Sequence, residues 1–244
     1  MTGHVAIVGG GPGDPGLLTL RGFELLKQAD VVLVDRLAPH ALLDGLRPDV
    51  EVVDVGKEPH RHRRGQREIE ELMIDRARRG LRVVRLKGGD PYVFGRGGEE
   101  ALACAAAGVP YAVVPGVTSA VSVPALAGIP VTHRGVTQEA SIVSGHAHPD
   151  DPASTVDWER LGAGTGTVVV LMGVTHLGAI AARLMRGGRP DTTPVAVIQD
   201  GAGPAARVVT ATLATVASAA RDVRPPAVTV VGEVVALRDQ LLAG

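Results

Sequence analysis

Cys104 is the only cysteine in a chain of 244 residues, and aromatic side chains make up just 2% of the total. One thiol cannot close an internal disulfide, and no C-x-x-C pair offers thiol redox chemistry or a zinc site, so a reducing, cytoplasmic setting is expected. So few aromatics remove the stacking surface on which single-strand nucleic-acid binders depend. Neither charge dominates: 25 Lys and Arg stand against 26 Asp and Glu, and no whole-molecule field draws the chain to nucleic acid or membrane. Uninterrupted apolar runs of membrane-spanning length are missing too. Residues 101–132 carry no charged side chain, yet Pro110, Pro115, Pro124 and Pro130 break them up, and the chain does not open on a basic stretch followed by an apolar one. Neither a membrane span nor an export signal is expected.

Glycine and short β-branched runs are what the chain has in quantity. The runs at 5–8, 31–35, 52–55, 81–86 and 111–114 alternate with helix-compatible stretches such as 17–28 and 68–79, which is the rhythm of a parallel α/β sheet. In the second of these helices Ile69, Leu72, Met73 and Ala77 recur at spacings of three and four, giving one face to pack and one to solvate. The rhythm breaks at Pro115-Gly116-Val117-Thr118-Ser119. Beyond it, strands are expected at 141–143, 167–172, 195–198, 207–210 and 227–231, with a helix at 177–186 and a surface loop at 148–158. The pattern predicts two α/β domains, 1–114 and 115–244, with a ligand cleft between them, in a chain long enough to bury a core without staples.

Two glycine loops stand out. Leu86-Lys87-Gly88-Gly89-Asp90-Pro91 ends a strand run, and Tyr92-Val93-Phe94-Gly95-Arg96-Gly97-Gly98-Glu99-Glu100 leads into helix formers. Its glycines let backbone approach a ligand closely, and Asp90 stands where open α/β sheets bind their ligands, able to accept hydrogen bonds from a ribose or an ammonium. A tight turn in which Asp90 bonds its own backbone is the competing reading. The earlier loop, Gly11-Pro12-Gly13-Asp14-Pro15-Gly16, matches G-x-G-x-x-G, and the next strand run ends in Asp35, as in a dinucleotide site. Its chemistry argues otherwise: Pro12 and Pro15 remove two backbone donors, and Asp14 would repel a phosphate. A nucleotide-binding oxidoreductase is kept as the rival from another class, beside a non-catalytic ligand-binding protein. No metal is expected, since His60-x-His62 and His146-x-His148 lack an acid or Cys cluster to complete a site.

In order along the chain, Gly9-Gly10-Gly11-Pro12-Gly13-Asp14-Pro15-Gly16-Leu17-Leu18-Thr19-Leu20 resembles the opening signature of the tetrapyrrole methylases. The Gly88 loop, with its Gly-Arg-Gly-Gly-Glu-Glu end, resembles their uroporphyrinogen-III C-methyltransferase branch. Pro115-Gly116-Val117-Thr118-Ser119-Ala120 and Gly128-Ile129-Pro130-Val131-Thr132-His133-Arg134-Gly135 continue the likeness over nearly the whole chain. The resemblance implies a two-domain class III methyltransferase fold, S-adenosylmethionine as methyl donor with S-adenosylhomocysteine as product, and a homodimer. It also implies C-methylation of a small-molecule tetrapyrrole, uroporphyrinogen III, at C2 and C7 to give precorrin-2 for sirohaem or cobalamin. A sister methylase acting on a later precorrin is the alternative within the family.

The same resemblance implies residue roles: Asp35 as proton acceptor and Lys57 as proton donor in the N-terminal domain, with the C-terminal domain completing the donor site. Donor contacts fall on Pro12, Gly88, Gly89, Asp90, Val93, Thr118, Ser119, Met172 and Gly201. On residue type alone, Asp35 is a cap or turn, Lys57 a solvated charge, and Met172, closing the apolar run 168–171, core filler. A polycarboxylate substrate needs cations, and Arg36, Arg61, Arg64, Arg85, His133 and Arg134 are the candidates, arginine being suited to bidentate pairing. The basic run around Arg61 and Arg64 reads equally as a solvated loop or helix start. Val34 stands where members often have Tyr and Glu70 where many have Asn, which bears on substrate detail more than on reaction class.

Overall fold

The apolar runs of the first half are too continuous for a sheet with one wet face. In the computed structural model, which describes residues 3–56 and 65–243, they form β1 (His4–Gly9), β2 (Val31–Val34), β3 (Glu51–Asp54), β4 (Arg82–Lys87) and β5 (Tyr111–Val114). All pair in parallel, in the order β3-β2-β4-β1-β5. The inner strands β2, β4 and β1 are buried almost throughout, while the edge strands β3 and β5 are largely exposed.

Side-chain alternation sorts the core onto two faces. Val5, Ile7, Val31, Leu33 and Val83 point to the side covered by α2 (Gln66–Arg78) and α3 (Gly97–Ala106), where Ile69, Met73, Ala101 and Cys104 meet them. Ala6, Val8, Val32, Val34, Val84 and Leu86 point the other way, onto Leu26 of α1 (Leu20–Gln28) and onto Ala29 and Ala38. Helices fall on opposite faces because the crossovers from β1 to β2 and from β3 to β4 run in opposite directions across a right-handed sheet. Full burial of a side chain such as Ile7 or Leu33 contributes about 1.5–3 kcal/mol. Helix α1 starts later than the expected 17. Pro15–Leu17 is a separate 3-10 turn whose Asp14 side chain accepts from Gly16 N–H, and Thr19 caps α1 by accepting from Gly22 N–H at 3.1 Å.

The chain divides into two compact units, Met1–Thr118 and Ser119–Gly244. In the second, α4 (Ser119–Leu126), β6 (Ala140–Ser144), α5 (Trp158–Ala163), β7 (Thr167–Leu171), α6 (Leu177–Arg186), β8 (Pro194–Gln199), β9 (Arg207–Thr212), α7 (Val216–Ala219), β10 (Ala227–Val231) and α8 (Arg238–Leu242) follow. Its sheet runs β6-β7-β10-β8-β9, with only β6 and β7 adjacent and parallel. Because β10 is antiparallel to both β7 and β8, those two strands end on the same edge of the sheet. One face is filled by Val168, Val170, Ile180, Leu184, Val195 and Val197 with Trp158, and α4 packs on β7 and β10 from the other. The uncharged stretch 101–132 is split among α3, β5 and α4, and no helix of the described residues is long and apolar enough to cross a membrane.

Candidate active site

Where β1, β4 and β5 end, three glycine-containing loops meet backbone to backbone. Gly10 N–H donates to Lys87 O at 2.7 Å, and Gly11 and Gly89 exchange reciprocal hydrogen bonds of 3.2 and 2.7 Å. Both of those glycines have positive φ, +82° and +65°, which a side chain would resist. A Cβ on Gly9 would lie 2.6 Å from Gly116 Cα, so the approach itself excludes anything larger. Asp90 locks the corner: Oδ1 accepts from Tyr92 N–H at 2.8 Å and Oδ2 from Gly116 N–H at 3.0 Å. The turn-forming reading of Asp90 therefore holds, extended by a tie from the loop after β4 to the exit of β5.

The same bonds dispose of the dinucleotide reading. Gly11 N–H is committed to Gly89, Gly16 N–H to Asp14 Oδ1 and Leu17 N–H to Asp14 O, so few donors remain to cradle a pyrophosphate. Beyond Asp90 the loop turns back on itself, with Gly97 N–H bonded to Pro91 O, while Phe94 and Arg96 sit at φ of 53° and 60°. Left-handed backbone at non-glycine residues is strain of the kind that ligand-binding loops retain. Tyr92 and Phe94 are both exposed here, two of the few aromatics in the chain. Val93, half-buried, lies between them, and Pro12 is half-buried in the neighbouring loop.

Beneath this corner lies a dry cluster of charges. Asp35 follows β2 directly, its N–H bonded to Leu86 O, and its carboxylate meets Arg85 Nη2 at 2.6 Å and Lys87 Nζ at 3.5 Å. The same two cations share Glu100 Oε1, at 2.9 Å from Arg85 Nε and 3.0 Å from Lys87 Nζ. Side-chain exposure is 31% for Asp35 against 2%, 3% and 0% for Arg85, Lys87 and Glu100. Two buried cations and two anions neutralise one another, as buried charges must. Arg85 thus requires a correction. It was expected to greet substrate carboxylates, yet its guanidinium is spent inside the unit on Glu100, Asp35 and the carbonyls of Leu33 and Leu86. Lys87 and Glu100 were missed altogether. The signal was present in the parity of β4, where Val83, Arg85 and Lys87 share one face, and in the four-residue spacing of Glu100 and Cys104 on α3.

Arg36 is exposed beside Asp35, and Gly56 packs against it, a Cβ there lying 2.9 Å from Arg36 Cβ. Lys57, Arg61 and Arg64 lie outside the described residues. In the second unit, Met172 follows β7 with φ of 59° and is 47% exposed, so it is not the core filler that its apolar neighbours imply. Gly201 follows β8 on the same sheet edge, and α4 is packed closely enough that a Cβ on Gly201 would lie 2.5 Å from Val123 Cγ1. Ser119, half-buried, opens α4 directly after Thr118. His133 and Arg134 are exposed on a tight turn closed by the His133 and Thr137 backbones.

Two α/β units of this kind, with ligand loops at strand ends, make the class III methyltransferase fold. The chain belongs to the tetrapyrrole (corrin/porphyrin) methylases, whose family model matches residues 4–217. It is 50% identical over 241 residues to the S-adenosyl-L-methionine-dependent uroporphyrinogen III methyltransferase of Methanosarcina barkeri, covering 98% of this chain and 94% of that one. It is 49% identical over 239 residues to siroheme synthase 1 of Cronobacter sakazakii, where 98% of this chain spans half (50%) of the longer protein. Among solved structures, the Thermus thermophilus uroporphyrin-III C-methyl transferase complexed with S-adenyl homocysteine superposes with a TM-score of 0.82. It is 44% identical, over 96% of this chain and 100% of that one.

Proposed function

We propose that this protein is an S-adenosylmethionine-dependent methyltransferase that methylates uroporphyrinogen III at C2 and C7, giving precorrin-2 and S-adenosylhomocysteine. The observation that carries the reading is the placement of Asp35: it is the one partly exposed member of a buried charge cluster, at the strand ends beside the glycine loops. Likeness over nearly the full length to a protein bearing that activity in its name supplies the substrate.

The donor supplies a methyl group on a sulfonium, which an electron-rich pyrrole carbon attacks. Each round forms a ring-to-methyl bond, breaks a sulfur-to-methyl bond and leaves the ring with a proton to lose. Asp35, held at both oxygens by Arg85 and Lys87, accepts that proton, and Lys57 is the complementary proton donor. Positioning supplies much of the acceleration. Pro12, Gly88, Gly89, Asp90, Val93, Thr118, Ser119, Met172 and Gly201 bind the donor. The backbone-to-backbone loops suit such a ligand because their glycines let it approach the main chain closely. Arg36, Arg61, Arg64, His133 and Arg134 bind the substrate carboxylates. Arg85 serves indirectly, through Asp35. A cytoplasmic homodimer belongs to the same reading, and precorrin-2 then serves sirohaem or cobalamin synthesis.

Incubation with uroporphyrinogen III and isotope-labelled donor, followed by mass analysis of the product, tests this directly. Two labelled methyl groups on the ring are expected. A product with no label overturns the substrate, and tight NAD binding without any response to S-adenosylhomocysteine overturns the reaction class. Light scattering checks the dimer.

A further inference from the structure

Glu100 is fully buried on α3, and its two oxygens are used unequally. Oε1 accepts from Arg85 Nε, from Lys87 Nζ and, at 3.4 Å, from Gln66 Nε2, whereas Oε2 has no hydrogen-bond partner among the described residues. An ionised carboxylate kept dry with one oxygen idle is expensive, and the cost is offset by the two buried cations that its other oxygen holds. Its neighbours show where the charge acts. Arg85 and Lys87 each touch two acids, Glu100 on the buried side and Asp35 on the exposed side.

We propose that Glu100 is a positioning residue for Asp35: from the buried side it holds Arg85 and Lys87 in place and offsets part of their charge, so that the Asp35 carboxylate is fixed in orientation yet still able to take up a proton. This rests on Asp35 being the proton acceptor of the reaction. Were Glu100 neutral, both cations would bear on Asp35 alone and hold it ionised to lower pH, making it a poorer base. The reverse holds for Lys87, whose loss removes a cation from Asp35. The surroundings leave this balance to a few groups. Gln66 and, farther off, Glu70 come from α2, and α3 itself adds Arg96 at its start, Glu99, which Lys87 also attracts, and Cys104, whose thiol is pushed up to about 11 by burial and then by the Glu100 and Glu70 charges. On the Asp35 side stand the exposed Arg36 and His40, whose Nε2 lies 3.2 Å from Asp35 O. The core under α3 takes only the apolar Val5, Ile7 and Val113 from β1 and β5.

Two substitutions with opposite expected signs test the proposal. Glu100→Gln keeps an oxygen for the three donors while removing the charge, and Lys87→Gln removes one cation. Carbon-13 NMR of aspartate-labelled protein, with the Asp35 signal assigned by its loss in Asp35→Asn, reads the Asp35 titration without any turnover. It should move down by about one pH unit in Glu100→Gln and up in Lys87→Gln, with the double variant close to the unaltered protein. In methyl transfer, Glu100→Gln should lower kcat about tenfold and carry the acid limb of its pH profile down, with KM for the donor unchanged. Glu100→Asp should recover part of the rate.

Titrations that stay put, or shift in the same direction in both single variants, overturn the proposal. So does a loss of kcat matched by equal losses of S-adenosylhomocysteine binding and thermal stability, which is what a packing role would give. If the unaltered protein methylates no uroporphyrinogen III while the Asp35 titration moves as expected, the substrate assignment falls and the coupling of Glu100 to Asp35 stands.

Discussion

Asp90 bridges two chain segments 26 residues apart, its Oδ2 bonded to the N–H of Gly116 at 3.0 Å while Oδ1 holds Tyr92 N–H at 2.8 Å. An asparagine there can keep only one of the two bonds, because its amide nitrogen must face the other N–H. Asp90→Asn is therefore expected to cost about 1.5–3 kcal/mol, the range for a hydrogen bond to a charged group. Urea denaturation gives the stability, and calorimetry with S-adenosylhomocysteine the donor affinity, and both should fall together. Weakened donor binding at unchanged stability would instead mean that the two backbone bonds add little to the fold and that Asp90 acts through its contact with the donor alone.

Asp35 is the cleanest single test of the chemistry. Asp35→Asn preserves shape and one acceptor for Arg85 but leaves the nearly buried Arg85 and Lys87 with Glu100 as their one acidic partner, so some stability should be lost. Donor binding should hardly change, whereas turnover should fall about 10²- to 10⁴-fold, the range for losing a general base and far beyond what the lost stability would give. Methyl transfer at the original rate would remove Asp35 from the mechanism.

Much of this organisation can be read without coordinates, and the failures have physical reasons. The runs of β1, β2 and β4 are legible because strands buried on both faces carry continuous β-branched residues, and Gly88-Gly89-Asp90 marks a loop because helix and strand interiors avoid that combination. Strand direction in the second unit is not legible: the residues of β8 and β10 are mostly apolar whether they run parallel or antiparallel. Arg85 was misjudged because its partner Glu100 lies 15 residues on and on another element, and a charged side chain in a strand shows no sign of whether it is dry. Residue type alone places Met172 in the core because nothing about methionine signals a left-handed backbone.

Asp30 ties the start of β4 to the chain entering β2. Its carboxylate accepts from Arg82 Nη2 at 2.6 Å, from Arg82 Nε at 3.0 Å and from Arg82 N–H at 2.8 Å. The Arg82 side-chain bonds, opposed by burial and aided by the backbone bond and the charges of Arg82 and Arg47, lower its pKa from 3.8 to about 2. A folded-state pKa below the unfolded one stabilises the fold above the unfolded value and ceases to do so as pH falls through the folded value. The contribution is on the order of 2 kcal/mol at neutral pH. Asp30→Asn should lose it, so urea midpoints of the two proteins should differ at pH 7 and converge as pH drops from about 4 towards 2. A difference that persists at pH 2 would show that the carboxylate charge is not its source.

Met172 separates ligand binding from packing. Its side chain is 47% exposed after β7 and its φ is 59°, a conformation that favours glycine. Truncating a buried methionine costs about 2–5 kcal/mol, but here little packing would be lost and backbone strain of about 1–3 kcal/mol relieved. Met172→Gly should accordingly melt no lower than the unaltered protein. If the side chain bears on the methyl donor, as proposed, the same variant should bind S-adenosylhomocysteine about tenfold more weakly, a loss of about 1.4 kcal/mol. Met172→Ala, which keeps the strain and removes the side chain, should show the weaker binding without the stability gain. A large drop in melting temperature for Met172→Gly would return Met172 to the core, and full donor affinity in both variants would take it out of the site.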